Sequence, residues 1–585
     1  MKNKIKFASE KMSKQLDESL EKASKLYQDY HYEAALEIIN SLPKKEKNTI
    51  SARSLKGIIL IERWDGNHHC RNEIFEALTH LEIASSKDSQ HKNNYLYNLG
   101  NAYQKLAVFD LVKNDNKLNP EIIKNLELAK YHFEESLSIE DNRSDVWINL
   151  GNTFNYLGRY LEGIECYDNA IVRDPTHYNA WAARGTCCWH LSKFVSNDQD
   201  KKILMHHAMV FLKMDFTFNP SIPRDPAIKR TVDDYFKRNK SELNPDKILK
   251  KIMPRKRVVL DNEFNLYREH SQKFQEFYQN FCEEHGLFLN VHFDCLDCSS
   301  KSKDLIDFRF VTSIRDHQKP YELMKKWLAI RDEYKTARTI LAYAQYRPNE
   351  MFFLDKQRYE PDYSLNYLFN VELLKNSFVS IMNIYDKIAL LLNDYEELGL
   401  PESSVNFWGD TIFTQTNLLE KNCWNRHLVA MDSIRRDLEG RSSKDNKYKK
   451  MVDVRNYLVH RYFNLHDILD LKNLTYPYDP KNTPIKNPEY HMDIHEFFNL
   501  TLKAMRSVRN LLFSLSFFVF EKETEKVKDS DKIIPTMEWT IDWDKNPELK
   551  KIADDAAEQI NEAYQKYFEE IFDLLKKNYN KMDKS

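Results

Sequence analysis

The chain predicts an all-α protein, a helical solenoid followed by a helical bundle. Three observations predict it. Glycine occurs 11 times in 585 residues and proline 18 times, against a usual glycine share of about 7%. Sheets draw on glycine for turns and bulges, so few strands can be built. Apolar residues recur at steps of three and four over long stretches, the period of a buried helix face. Trp147 and Trp181 lie 34 residues apart, as do Gly151 and Gly185, the length of a repeated helix pair.

The composition is globular, with 42% apolar and 30% charged residues, and the length implies more than one domain. Lys plus Arg number 87 and Asp plus Glu 89, a net charge of -2. The chain as a whole is therefore not an electrostatic binder of nucleic acid, and any such binding must be local. No two glycines stand as GxG, which excludes the dinucleotide fingerprint and the GxxxxGK[ST] phosphate loop. Cysteines at 70, 166, 187, 188, 282, 295, 298 and 423 are scattered and read as reduced thiols of a cytoplasmic protein. The start, MKNKIKFASEKMSKQ, has no apolar core of a secretory signal. The longest apolar run, Leu511 to Phe520, follows Lys503, Arg506 and Arg509. It is too short and too charged a stretch to span a bilayer, so no membrane partner is expected.

The first domain is expected over 1–222. Trp147 to Phe154 reads W-I-N-L-G-N-T-F, followed by Gly163, Tyr167, Ala170 and Pro175. This resembles the tetratricopeptide repeat (TPR), W-x2-L-G-x2-Y, then A-x3-F, then P. Small residues at 151 and 163 let the two helices of a repeat approach closely, and Pro175 stops the second helix. Weaker copies are spaced from Ala23 to Gly57, Gly57 to Gly100 and Gly100 to Gly151. Insertions are expected at KNDNKLNP, Lys113 to Pro120, and around Ser196 to Asp200, giving five repeats over roughly 10–222. The resemblance implies a curved array whose groove holds a protein or peptide partner. Self-association is the alternative.

Residues 223–319 read as a connecting region, partly helical. Pro223, Pro226, Pro245 and Pro254 punctuate it, and KILKKIMPRKR ends at Arg257. That basic run could touch phosphates, but interleaved Asp233, Asp234 and Glu242 favour a solvated linker. Helical signals resume from Asp261 to Glu284. Cys282-x2-His285 and Cys295-x2-Cys298 carry the ligand types of a zinc site. The intervening GLFLNVHFD is apolar, so buried reduced cysteines are the preferred reading, and neither a metal nor a cofactor is expected.

Residues 320–530 form the expected bundle. Helices are predicted over Arg331 to Gln345, Asp362 to Leu398, Thr411 to Leu438, Asn446 to Phe463 and Asp493 to Phe520. The second has Phe378, Ile381, Ile384, Tyr385, Ile388, Leu391 and Leu392 on one face. A proline-rich loop carries Pro477, Pro480, Pro484 and Pro488. The remainder, 531–585, contains an amphipathic helix from the Asn546-Pro547 cap to about Asn578.

Inside the bundle stands Arg455-Asn456-Tyr457-Leu458-Val459-His460. It resembles the R-x4-6-H motif of the HEPN superfamily, four-helix bundles of which many are metal-independent endoribonucleases and one branch follows tetratricopeptide arrays. Asn456 and His460 share a helix face, whereas Arg455 and His460 stand about 140° apart around it. Family members bring two motifs together across a two-fold axis, so the resemblance implies a homodimer through this domain. It also implies RNA transesterification. His460 would act as general base or acid, Arg455 would neutralise the phosphate and Asn456 would orient either. Arg461, Lys447, Lys449 and Lys450 would hold RNA phosphates, or else form a solvated face. In the family such nucleases serve antiviral defence or act as toxins. The alternative is a non-catalytic adaptor that binds protein partners or nucleotides, with Arg455 bridged to a neighbouring carboxylate.

Overall fold

The computed structural model describes residues 16–63, 71–195, 197–218, 226–239, 273–295, 298–308, 310, 318–346, 369–409, 411–439, 447–460, 463–466 and 490–528. The chain divides into two compact units, Met1–Thr524 and Glu525–Ser585. Of the second, only the end of the last helix is described, so the helix expected after Asn546 lies outside the described residues. So does the basic run ending at Arg257.

The first part of the chain is built from helix pairs. They are α1 (16–28) with α2 (Tyr32–Ser41), then, after the single turn α3 (Lys44–Lys47), α4 (Ile50–Arg63) with α5 (Arg71–Lys87). Next come α6 (Lys92–Lys113) with α7 (Pro120–Ile139), α8 (Ser144–Tyr156) with α9 (Tyr160–Arg173), and α10 (Tyr178–Leu191) with α11 (Asp198–Phe218). The second helix of one pair packs on the first helix of the next, as α5 on α6, α7 on α8 and α9 on α10. Such layering makes a solenoid. The expected insertion after Lys113 is a loop closed by Asn119, whose side chain caps α7 by accepting from the Ile122 amide at 2.9 Å.

Glycine sets the separation within pairs. A Cβ on Gly151 of α8 would lie 2.6 Å from the Tyr167 ring of α9. On Gly100 of α6 it would lie 2.5 Å from the Phe133 ring of α7. The 34-residue recurrence has a matching hydrogen bond. Trp147 donates its indole N–H to the Asp141 carbonyl, and Trp181 donates to the Pro175 carbonyl, each at 2.8 Å and six residues back.

Pro226 opens α12 (Pro226–Asn239), so this part of the connecting region is helix rather than linker. A first-turn proline suits a helix start. Val232 is buried, and Tyr235 reaches His206 of α11 at 3.0 Å. After α13 (Phe274–Glu284) the GLFLNVHFD segment is buried without being a strand. Side chains tie it to the residues that follow: Asp304 accepts from the Leu289 amide at 2.7 Å, and the Asn290 side chain donates to the Lys301 and Lys303 carbonyls.

The bundle comprises α14 (Gln318–Gln345), α15 (Phe369–Tyr395), α16 (Leu418–Lys421), α17 (Arg426–Glu439), α18 (Lys447–His460) and α19 (Ile494–Lys528). Helix α14 starts thirteen residues before the expected Arg331, and α19 continues past Phe520 to Lys528. The helix expected over Thr411 to Leu438 is broken. A π turn spans Thr411–Gln415, Asn417 sits at φ +56°, and α17 begins afresh behind Asn425, which accepts from the His427 and Leu428 amides. Phe463 is not helical. Strand β1 (Phe463–His466) pairs in parallel with β2 (Tyr490–Asp493), Phe463 opposite Tyr490. The proline-rich loop expected between them lies outside the described residues.

Array and bundle share one core. A continuous buried cluster runs from Ile148, Tyr160 and Trp181 to Tyr385, Leu428 and Val519. The polar centre of this junction is Asp437 of α17, 1% exposed. Lys130 of α7 and Arg159, just before α9, each reach one of its carboxylate oxygens at 2.6 Å. Both also donate to the Ser433 hydroxyl. Gly158 (φ +79°) turns the chain between α8 and α9 so tightly against α17 that a Cβ would lie 2.3 Å from the Arg426 carbonyl.

Candidate functional site

Helix α18 buries Met451 and Val454 and exposes Asp453, Asn456, Val459 and His460. Arg455 stands on the border between these faces. Its side chain is 25% exposed and lies 4.0 Å from Asp386 of α15. That is at the outer limit of an ion pair and too long for a hydrogen bond. Among the described residues the buried Arg455 Nε has no hydrogen-bond partner. Asp386 is itself engaged, accepting from the Phe407 amide at 3.0 Å. Arg455 is thus a cation delivered to a helix rim and only loosely neutralised.

His460 is the last residue of α18 and is exposed, one turn beyond Asn456 on the same side. Arg455 therefore points toward α15 while Asn456 and His460 face outward. Lys450 pairs with Glu496 of α19 across two exposed side chains. Lys447 and Lys449 fall within α18, but their side chains, and all of Arg461, lie outside the described residues. Asp386 carries no sequence signal of its role, being one carboxylate 69 residues before Arg455.

Residues 314–522 match the family model described as LA2681-like HEPN, roughly a third of the chain. The match supports a HEPN domain and spans α14 to most of α19, with Arg455, Asn456 and His460 inside it. Nothing among curated proteins matches the chain. No helix among the described residues is long and apolar enough to cross a membrane.

A second constellation lies outside this match. Cys282 and His285, paired with Cys295 and Cys298 by spacing, are not near them as ligands. Cys282 is fully buried on α13, and His285 packs edge-on to Phe281 and Phe498. Cys295 and Cys298 instead converge on His292, with Sγ to Nδ1 distances of 3.7 and 3.3 Å. His207 of α11 brings its Nε2 to 4.0 Å from the Cys295 sulfur. Asp200, at 2.9 Å from His292 Nε2, and Cys295 push that imidazole up to about 10 against the effect of burial. Burial raises the Cys298 thiol, but the Ser300 amide and His292 outweigh it and hold the thiol below its ordinary value. His292 is visible in the sequence as H-x2-C-x2-C. His207 gives no local signal, since it sits 88 residues before Cys295.

Proposed function

We propose that the chain is a metal-independent endoribonuclease of the HEPN type, acting on RNA and controlled by its N-terminal array. The observation that carries this reading is the placement of Arg455, Asn456 and His460 at the outer end of α18, within the segment that matches the HEPN family. A histidine kept for structure is usually buried and bonded; His460 is exposed. An arginine kept for structure is usually closely paired; the carboxylate of Asp386 stands 4.0 Å from Arg455, the nearest ion-pair contact it has among the described residues.

His460 removes the proton from the ribose 2′-OH or supplies one to the departing 5′-oxygen. Arg455 places its fork on the phosphate as charge builds there. Asn456 holds the phosphate or the imidazole. Arg455 and His460 lie on different faces of one helix, so a two-fold partner that completes the site is part of the proposal. Val459, 46% exposed between Asn456 and His460, gives that partner apolar surface to cover. Arg461, Lys447, Lys449 and Lys450 are proposed to hold the RNA backbone. The array, with a tetratricopeptide resemblance, would dock a protein or peptide trigger, in a defence or toxin role within the cytoplasm.

The test is cleavage of labelled total RNA in EDTA by the wild type and by His460→Ala. Loss of one general acid–base group lowers the rate by about 10² to 10⁴-fold. Equal cutting by both proteins rejects the assignment. The rival, a non-catalytic adaptor, rests on the Asp386 contact to Arg455. It predicts that Asp386→Asn disturbs partner binding and leaves no cleavage to measure in either protein.

A further inference from the structure

Two cysteine sulfurs and one imidazole nitrogen converge on a point beside α11, and the α11 imidazole of His207 stands next to them, 4.0 Å from the Cys295 sulfur. Hydrogen bonding alone explains this poorly. His292 Nε2 faces the Asp200 carboxylate, which turns Nδ1 toward the two sulfurs. Both Cys295 and Cys298 are aimed at that one nitrogen, and a single ring N–H serves only one of them well. A metal ion takes a lone pair from all three atoms at once.

The distances are those of a tetrahedron's edges. With Zn–S near 2.3 Å and Zn–N near 2.0–2.1 Å, tetrahedral angles put sulfur and nitrogen ligands about 3.6 Å apart. Three of the four sulfur–nitrogen edges are 3.3, 3.7 and 4.0 Å: Cys298 to His292, Cys295 to His292 and Cys295 to His207. His292, Cys295 and Cys298 offer ligand atoms that all lie within 4.8 Å of one another.

The supporting shell is also present. Metal-bound histidines present their second nitrogen to a carboxylate or carbonyl, which fixes the tautomer. His292 does so to Asp200 at 2.9 Å, and Asp294 stands 4.0 Å from His207 Nδ1. Asp294 is itself fixed by Arg184, at 2.8 and 2.9 Å. The Ser300 amide points at the Cys298 sulfur from 3.4 Å, the stabilisation a thiolate ligand needs. Both histidines are buried, His292 to 1% and His207 to 8% exposure.

We infer that His207, His292, Cys295 and Cys298 bind one zinc ion in a closed Cys₂His₂ site. Soft thiolates with imidazoles in tetrahedral array select zinc over oxygen-loving cations. Four protein ligands leave no open position, so the ion is structural. It ties the last array helix, α11, to the segment that follows α13. It shares no residue with the Arg455 and His460 motif, so cleavage without free metal and a bound structural ion are compatible.

The experiment is metal analysis of the full chain, purified with zinc present and desalted. About one zinc per chain is expected for a closed site of this kind. Cys295→Ser/Cys298→Ser should lose at least about nine-tenths of it, while Cys282→Ser keeps it, since Cys282 lies off the cluster. A wild type without zinc, or a double variant that retains it, overturns the inference. If the double variant does not fold, cobalt(II) added to the wild type decides. Strong visible ligand-field bands with thiolate charge transfer support tetrahedral S₂N₂ binding; a pale octahedral spectrum overturns it. Rapid thiol alkylation of the wild type, unaffected by zinc, would show a thiolate–imidazolium pair in its place.

Discussion

At the scale of single residues, the acid–base groups divide into exposed and buried sets with different consequences. Arg455→Lys keeps the charge but loses the planar fork, so a phosphate-binding role predicts a large fall in RNA cleavage. Thermal stability should stay within about 0.5 kcal/mol, because the position is at the surface and its carboxylate contact is long. A rate that survives in Arg455→Lys would leave Arg455 a structural charge. The buried histidines set the response to pH instead. Burial, with Arg426 beside it, pushes His427 down to about 3, and burial with Arg506 does the same to His285. His190 and His132 are pushed down to about 4, again chiefly by burial. In the unfolded chain such groups titrate near 6.5. Below that value the unfolded state binds more protons than the folded one, so stability is complete above about pH 6.5 and falls as the pH drops toward 4. Each unit lost costs up to about 1.4 kcal/mol per histidine. Urea midpoints at pH 7.5 and 5.5 check this. An unchanged midpoint would mean that these rings take up protons in the folded protein as readily as in the unfolded chain.

At the scale of elements, glycine positions carry a sharp expectation. Gly151→Ala drives a methyl into the Tyr167 ring, and Gly100→Ala drives one into Phe133. Overpacking of this kind costs about 1–3 kcal/mol. Alanine otherwise favours a helix over glycine by about 1 kcal/mol, so a rise in melting temperature would show that the pair separates without cost. Helices with a long apolar period were legible: the Phe378 to Leu392 face of α15 is buried as its spacing requires. So were the glycines and tryptophans that set the helix pairs of the array. What was not legible depends on distant partners. The break before α17 turns on Asn417 and Asn425, whose alternatives to helix are taken up only when tertiary packing selects them. The β1–β2 pair joins segments that residues 467–489 separate in the chain. In the candidate site, the Arg455 to His460 spacing could be read directly, but not Asp386, which is brought to Arg455 by the α15–α18 packing. The Cys/His cluster was half legible. Spacing found both cysteines, but it took Cys282 and His285 in place of His292 and His207, because local spacing carries no information about α11.

At the scale of the whole molecule, the junction of array and bundle dominates. Asp437 faces two buried cations, and without it each keeps another carboxylate, Glu127 for Lys130 and Glu162 for Arg159. Asp437→Ala removes the carboxylate they share and is expected to destabilise the protein by up to about 3 kcal/mol. Replacing a single exposed partner, as in Glu496→Ala beside Lys450, should cost under about 1 kcal/mol. Denaturant titrations of the two variants compare them directly. Similar midpoints would mean that water reaches Lys130 and Arg159 and relieves them.

The Gly158 turn and the Asp437 cluster bear on how such a chain could be rebuilt by recombination. A bundle excised at residue 223 would carry a buried carboxylate with no cations and an apolar α17 face with no cover. A foreign array grafted in its place would need a lysine and an arginine at these two heights, and a residue without a side chain where the loop meets Arg426. The two halves are thus not interchangeable cassettes, and the outer helices, α1 to α5, can be altered with less disturbance to the bundle than the array can be exchanged.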